Sequence, residues 1–125
     1  MSTWTESELA AVGAADELNV SSYRADGTLR DYVIIWAVRS GDELFVRTAY
    51  RPESAWYRHA VEAGRGRIRA GGVERDVTFT HLATDADHEA IDAAYHAKYD
   101  RYGAKIVGTV VGDAVRELTL RLDAA

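Results

Sequence analysis

The run Val33-Ile34-Ile35-Trp36-Ala37-Val38 is apolar at odd and even positions alike. Successive side chains of a strand point to opposite faces, so a strand of this sequence needs cover on both sides. A barrel or a helix-covered sheet provides it, whereas a sheet with one wet face does not. The run is far shorter than the roughly 18 residues that read as a membrane span. The expectation is one strand, Asp31 to Arg39.

Turn signals flank it. Asp26-Gly27 precedes it, where glycine supplies the positive φ a tight turn can require. Ser40-Gly41-Asp42 follows and returns the chain as Glu43 to Thr48, with Leu44 and Val46 on one face and Phe45 and Arg47 on the other. Upstream, Thr5 and Glu8 form a capping box inside a Trp4/Leu9 staple, which predicts a helix from about Glu6 to Ala15. Strand-like alternation begins at Leu18.

Pro52 and Ser54 open a second helix that pairs Trp56 with Ala60 and Tyr57 with Val61 and stops at Gly64. Gly71-Gly72 joins strands Arg65 to Ala70 and Val73 to Thr80. That register sets Arg69 against Glu74 and Arg67 against Asp76, so these arginines read as structural. Asp85 caps a third helix with Asp87 and Glu89 in its first turn, the stripe Ile91, Tyr95, Tyr99 and Tyr102, and a stop at Gly103. Ile106 to Val111 reads as a short strand or a helical turn, and Glu117 to Leu122 as a closing strand. The order predicts an antiparallel α+β barrel of six or so strands with about three flanking helices, in a single domain over residues 1–125.

The chain has no cysteine, which excludes disulfides and thiolate metal sites, and it opens on acidic and polar residues rather than a secretory pattern. A cytoplasmic protein is expected. The net charge of -5 argues against nucleic acid, and no membrane partner is expected. The stretch Arg24 to Arg75 is nevertheless net positive between acidic ends. It suits an anionic ligand, although thirteen Arg against two Lys is also what a GC-rich genome writes.

The segments Arg24-Ala-Asp-Gly-Thr-Leu-Arg30, Ile35-Trp36, Gly41-Asp-Glu-Leu-Phe-Val-Arg47, Trp56-Tyr57-Arg58 and Gly64-Arg-Gly-Arg-Ile-Arg-Ala-Gly-Gly72 resemble an uncharacterised family of bacterial proteins. The likeness continues through Asp92-Ala-Ala-Tyr95 and Lys98-Tyr99 to Thr119-Leu-Arg-Leu122. More distantly, Tyr23 to Phe79 resembles the deazaflavin-dependent nitroreductases and quinone reductases, split β-barrels related to FMN-binding proteins. Their phosphate-holding turn, Ser-Gly-x-x-Arg, has its counterpart in Asp26-Gly27-Thr28-Leu29-Arg30. Gly and Arg are retained, but Asp26 replaces the Ser, and a carboxylate beside a phosphate is repulsive unless an arginine neutralises it.

The resemblance implies FMN or a deazaflavin as cofactor in an oxidoreductase. On this reading Arg24, Thr28 and Arg30 lie near the phosphate, Arg47 and Thr48 near the ring or ribityl chain, and Trp56 and Tyr57 at the site's edge, while Trp36, Tyr95 and Tyr99, as aromatic faces with phenol hydroxyls, are expected toward substrate. Two alternatives stay open: a cofactor-free small-molecule binder or a cyclase or isomerase on the same barrel, and a non-catalytic interaction protein that forms a homodimer. The tyrosine stripe also reads as ordinary core, and the Asp26-Gly27 turn as an ordinary hairpin turn.

His88, Asp92 and His96 fall at i, i+4 and i+8, and Asp92 with His96 is close enough to share an ion. His88 and His96 lie about 12 Å apart along a helix, too far for all three to hold one ion, so no metal is expected. No nucleophile elbow, Walker loop or dinucleotide loop occurs, and neither His59 nor His81 has a catalytic partner by spacing. No catalytic residue is assigned.

Overall fold

The computed structural model describes residues 4–48, 55–82, 88–111 and 118–125. The expectations placed on Pro52, Ser54, Asp85, Asp87 and Glu117 lie outside the described residues.

Helix α1 (Glu6–Ala14) starts as its capping box requires: Thr5 N–H donates to Glu8 Oε1 at 2.9 Å and Glu8 N–H to Thr5 Oγ1 at 3.1 Å. Trp4 and Leu9 are both buried in one cluster, and Trp4 Nε1 donates to the Leu122 carbonyl at 2.8 Å. Strands β1 (Leu18–Ser22), β2 (Val33–Ile35), β3 (Ala37–Ser40) and β4 (Glu43–Arg47) precede α2 (Ala55–Ala63). Then come β5 (Arg65–Ala70), β6 (Val73–Leu82), α3 (His88–Tyr99), a 3-10 turn (Asp100–Tyr102), the short α4 (Ala104–Val107) and β7 (Thr119–Ala124). The stretch from Ile106, ambiguous in sequence, begins as helix.

The seven strands among the described residues join one antiparallel sheet in the order β2-β1-β5-β6-β7-β4-β3. β2 and β3 are its two edges, yet a single residue, Trp36, separates them in the chain. Consecutive Cα atoms lie about 3.8 Å apart, so Ile35 and Ala37 are within about 7.6 Å of each other and the sheet must curl until its edges meet. The result is a nearly closed barrel.

The expected continuous strand from Asp31 to Arg39 is therefore two strands. It breaks at Trp36, beyond which Ala37 pairs with Val46 of β4 and turns its N–H and carbonyl to α3: Ala37 N–H donates to the Tyr99 hydroxyl at 3.2 Å, and the Ala37 carbonyl accepts from Lys98 Nζ at 2.6 Å. Trp36 stacks on Tyr99 with ring centroids 4.0 Å apart. Two-sided cover holds only for the second half, where Ala37 joins the barrel interior and Val38 the layer beneath α3. In β2, Val33 and Ile34 are 40% and 60% exposed.

The interior cluster draws on Leu18, Val20, Leu44, Val46, Ile68, Val77, Leu120 and Leu122 under α1 and α2. Beneath α3, Phe45, Ile91, Tyr95 and Tyr99 form a second cluster. Leu44 and Val46 thus face one layer and Phe45 the other, as strand alternation dictates. The β5–β6 register is the expected one, with Arg67 opposite Asp76 and Arg69 opposite Glu74. In α2 the expected Tyr57/Val61 pair does not form a buried stripe: Tyr57 and Ala60 face the core, while Val61 is exposed.

Candidate functional site

The turn between β1 and β2 builds one wall of a cleft. Gly27 takes φ 88, its N–H donates to the Arg24 carbonyl at 2.9 Å, and Arg24 N–H donates to the Thr28 carbonyl at 2.7 Å. Asp26 Oδ1 accepts from both Thr28 N–H at 3.0 Å and the Thr28 hydroxyl at 2.6 Å. These bonds, with Arg24 nearby, hold the Asp26 carboxyl below its usual range. Asp26 therefore fastens its own turn, as Asp does in an Asx turn. The same bonds engage both Thr28 donors that the sequence suggested for a phosphate, and Thr28 lines neither cavity described next.

Two adjoining cavities lie between this turn, the β1–β2 edge and α2. One, of about 260 Å³, is mainly apolar, with Val20, Val33, Ala55, Trp56 and Ala60 beside Arg24, Arg30, Asp31 and His59. The other, of about 290 Å³, is polar and adds Tyr23, Glu62 and Arg65 to the same Arg24, Arg30 and His59. The three shared side chains mark the junction. Together the lobes reach the size range of small-molecule sites, roughly 300–1,000 Å³.

The junction is electropositive. Seven described arginines, among them Arg39, Arg47, Arg67 and Arg75, each meet a carboxylate within 4.0 Å. Among the described residues Arg24, Arg30 and Arg65 meet none. Arg24 Nη1 donates to the Leu29 carbonyl at 2.9 Å, whereas Arg30 Nε is buried with no hydrogen-bond partner. Leaving a buried donor unsatisfied costs about 1–3 kcal/mol, more when it is charged.

Of the residues singled out in the sequence, Arg24, Arg30 and Trp56 come together here, and Tyr57 is buried one position along α2. The others gather beneath α3. Arg47 is completely enclosed: it donates to Thr119 Oγ1 and to the Val110 carbonyl, both at 2.8 Å, pairs with Asp92, and lies 3.3 Å from His88 Nδ1. Thr48 is buried beside it in the chain, and Tyr95 and Tyr99 are fully buried. Tyr99 donates to the Asp16 carbonyl at 2.8 Å, while the Tyr95 hydroxyl is buried without a partner. Trp36 is half-buried on Tyr99. None of these lines either lobe.

The His88/Asp92/His96 spacing serves other ends: Asp92 faces Arg47, and His96 Nδ1 lies 2.8 Å from Asp100 Oδ1. No metal-holding group of three His, Asp or Glu occurs among the described residues. Sequence reasoning missed His59 and Arg65 as site residues. The signal for Arg65 was present in the hairpin register: its partner on β6 is Thr78, where Arg67 and Arg69 have acids.

Residues 8–122 match the family model described as an uncharacterized protein conserved in bacteria, DUF2255. The chain belongs to this family. No curated protein matches it. Among solved structures it is similar to HutZ, the heme storage protein of Vibrio cholerae, with a TM-score of 0.62 at 13% identity over 96% of this chain and 89% of that one. It is also similar to the FAD and heme binding protein of Mycobacterium smegmatis, with a TM-score of 0.57 at 20% identity over 99% and 67%. At these identities the likeness establishes the fold of this DUF2255 chain, a split barrel. No described helix is long and apolar enough to cross a membrane.

Proposed function

We propose that the cleft binds a flavin-type cofactor, FMN or a deazaflavin, with its phosphate at Arg24 and Arg30 and its ring against Trp56, and that the chain is a cytoplasmic oxidoreductase. The observation that carries this reading is the guanidinium pair at the junction: neither Arg24 nor Arg30 forms an ion pair within 4.0 Å with a described carboxylate, and Arg30 keeps a buried donor without a partner. Phosphate oxygens supply the acceptors it lacks. Trp56 at the apolar lobe offers an aromatic surface for a flat ring. Asp26, bound within its own turn, is not among the cleft's lining residues, and the carboxylates that do line it, Asp31 in the apolar lobe and Glu62 in the polar one, are outnumbered by Arg24, Arg30 and Arg65. The two similar solved structures are described as binding heme or FAD, which favours a small-molecule role for this barrel.

When bound, such a cofactor supplies hydride transfer. The chain's part is to bind and orient it: Arg24 and Arg30 hold the anion, and Val20, Val33 and Ala60 keep one end of the cleft apolar. Titration with FMN, and separately with a deazaflavin, tests this through Trp quenching. Saturable binding that weakens at least tenfold in Arg30→Ala supports it, since one charge-assisted contact contributes about 1.5–3 kcal/mol. No binding of either cofactor transfers the site to the cofactor-free alternative.

The edge strand favours a second reading that is compatible with the first. Val33 and Ile34 expose apolar side chains on both faces of β2, which is hydrogen-bonded to no described strand on its outer side, the kind of edge that natural sheets cover. We propose that a second copy of the chain covers it. Sedimentation tests this: wild type is a dimer and Ile34→Lys a monomer, while a monomeric wild type ends the idea.

A further inference from the structure

We propose that the cleft reads a second anionic group on its ligand, beyond the phosphate at the junction, and that Arg65 is the residue that reads it. This rests on the ligand-binding reading of the same cleft.

Arg65, Arg67 and Arg69 occupy alternate positions of β5 and so share one face. Arg67 pairs with Asp76 at 2.8 Å, and Arg69 pairs with Glu74 across the ladder. Arg65 stands opposite Thr78, which cannot neutralise it, and it forms no ion pair within 4.0 Å with a described carboxylate; Asp76, held low first by Tyr23 and Arg67, feels the Arg65 charge least. Two of the three arginines are thus explained by the hairpin and the third is not.

Arg65 is also held in place. Its guanidinium lies over the Tyr23 ring, 4.5 Å from the centroid, and Tyr23 N–H donates to the Arg65 carbonyl at 3.2 Å. The Tyr23 hydroxyl donates to Asp76 Oδ1 at 2.8 Å, the same oxygen that Arg67 engages, so the stacking platform is fixed from its far side. A stacked guanidinium with its planar fork still available is pre-organised for phosphate.

The geometry of the cleft gives the order of the charges. Arg24 and Arg30 line both lobes, whereas Arg65 lines only the polar one, which carries three arginines against the single carboxylate of Glu62. A ligand with its ring on Trp56 and its first phosphate at the junction has its next anionic group in the polar lobe, beside Arg65. The preferred ligand class is an aromatic compound with a diphosphate or a comparably charged chain.

The test compares FMN, with one phosphate, and FAD, with two, by flavin fluorescence on wild type, Arg30→Ala, Arg65→Ala and Arg65→Lys. In parallel, thermal midpoints are measured in phosphate and pyrophosphate at matched ionic strength. Wild type is expected to bind FAD about tenfold more tightly than FMN. Arg65→Ala abolishes that preference by weakening FAD about tenfold more than FMN, Arg65→Lys restores part of it, and Arg30→Ala weakens both ligands. Pyrophosphate stabilises wild type beyond phosphate, by the linkage of binding to folding, and Arg65→Ala removes the difference. Equal losses for FMN and FAD in Arg65→Ala, or a pyrophosphate effect that Arg65→Ala leaves intact, overturn the proposal, as does a wild type that pyrophosphate stabilises no more than phosphate. If neither flavin binds but the Arg65-dependent pyrophosphate effect remains, the flavin reading fails and the second-anion site stands.

Discussion

Arg47 is enclosed by four partners, whereas Arg30 keeps a guanidinium nitrogen buried with none. The same side chain therefore predicts opposite costs of removal. Arg47→Ala strands the Asp92 carboxylate against the core and is expected to cost about 3–5 kcal/mol. Arg30→Ala removes a buried unsatisfied donor and no side-chain hydrogen bond, and is expected to leave stability unchanged or to raise it by up to about 1–3 kcal/mol. Urea denaturation of the two variants checks both. Lys98 carries a third prediction. Burial pushes its amine down to about 8, with Asp16 pulling the other way. Between that value and its ordinary 10.5 the unfolded chain holds more protons than the native one, so stability rises as pH rises from about 8. Burial pushes the Tyr95 and Tyr99 hydroxyls up, so above pH 10 they reverse the trend as the unfolded tyrosines ionise. Lys98→Met is expected to flatten the rise above pH 8 in thermal melts and to leave the fall above pH 10. A rise of wild-type size in that variant excludes Lys98 as its source.

At the level of elements, the hairpin, the first helix cap and the glycine stops were legible because each is written in a few adjacent residues whose chemistry admits one answer. The expected register of β5 and β6 is found because two glycines at 71 and 72 fix the turn, both with positive φ. The strand Asp31 to Arg39 failed as a single element for the complementary reason. A run that is apolar at every position carries no information about which face is which, so nothing in it marked the break at Trp36. What ends β2 and starts β3 is tertiary: the Tyr99 hydroxyl and the Lys98 amine, some sixty residues away, satisfy the backbone of Ala37. Gly66 supplies a test of the β1–β5 packing that backs the cleft. A Cβ there meets the Ser21 carbonyl at 2.0 Å and the Phe79 ring at 2.9 Å. Gly66→Ala is expected to cost about 1–3 kcal/mol by overpacking, measured by thermal melts. A neutral substitution means that the two strands separate more easily than this packing allows.

Across the whole molecule, thirteen arginines in a chain of net charge -5 looked like either a ligand signal or a genomic habit. The fold sorts them: seven of those described meet carboxylates, and three without one converge on a single cleft formed by the β1–β2 turn, α2 and the first residue of β5. Sequence reasoning reached Arg24, Arg30 and Trp56 because they lie in the turn and helix that a family resemblance highlights. It grouped Arg47, Tyr95 and Tyr99 with them because parity and helical spacing name a face without saying which of two layers that face meets. The central claim is that this cleft, and not the polar cluster beneath α3, receives an anionic ligand. The most direct measurement is the guanidinium 15N spectrum of arginine-labelled protein titrated with FMN. The account predicts that the Nε–H signals of Arg24 and Arg30 move with saturation while those of Arg39 and Arg75 stay fixed. Movement at Arg47 alone, or at none of these arginines, contradicts it.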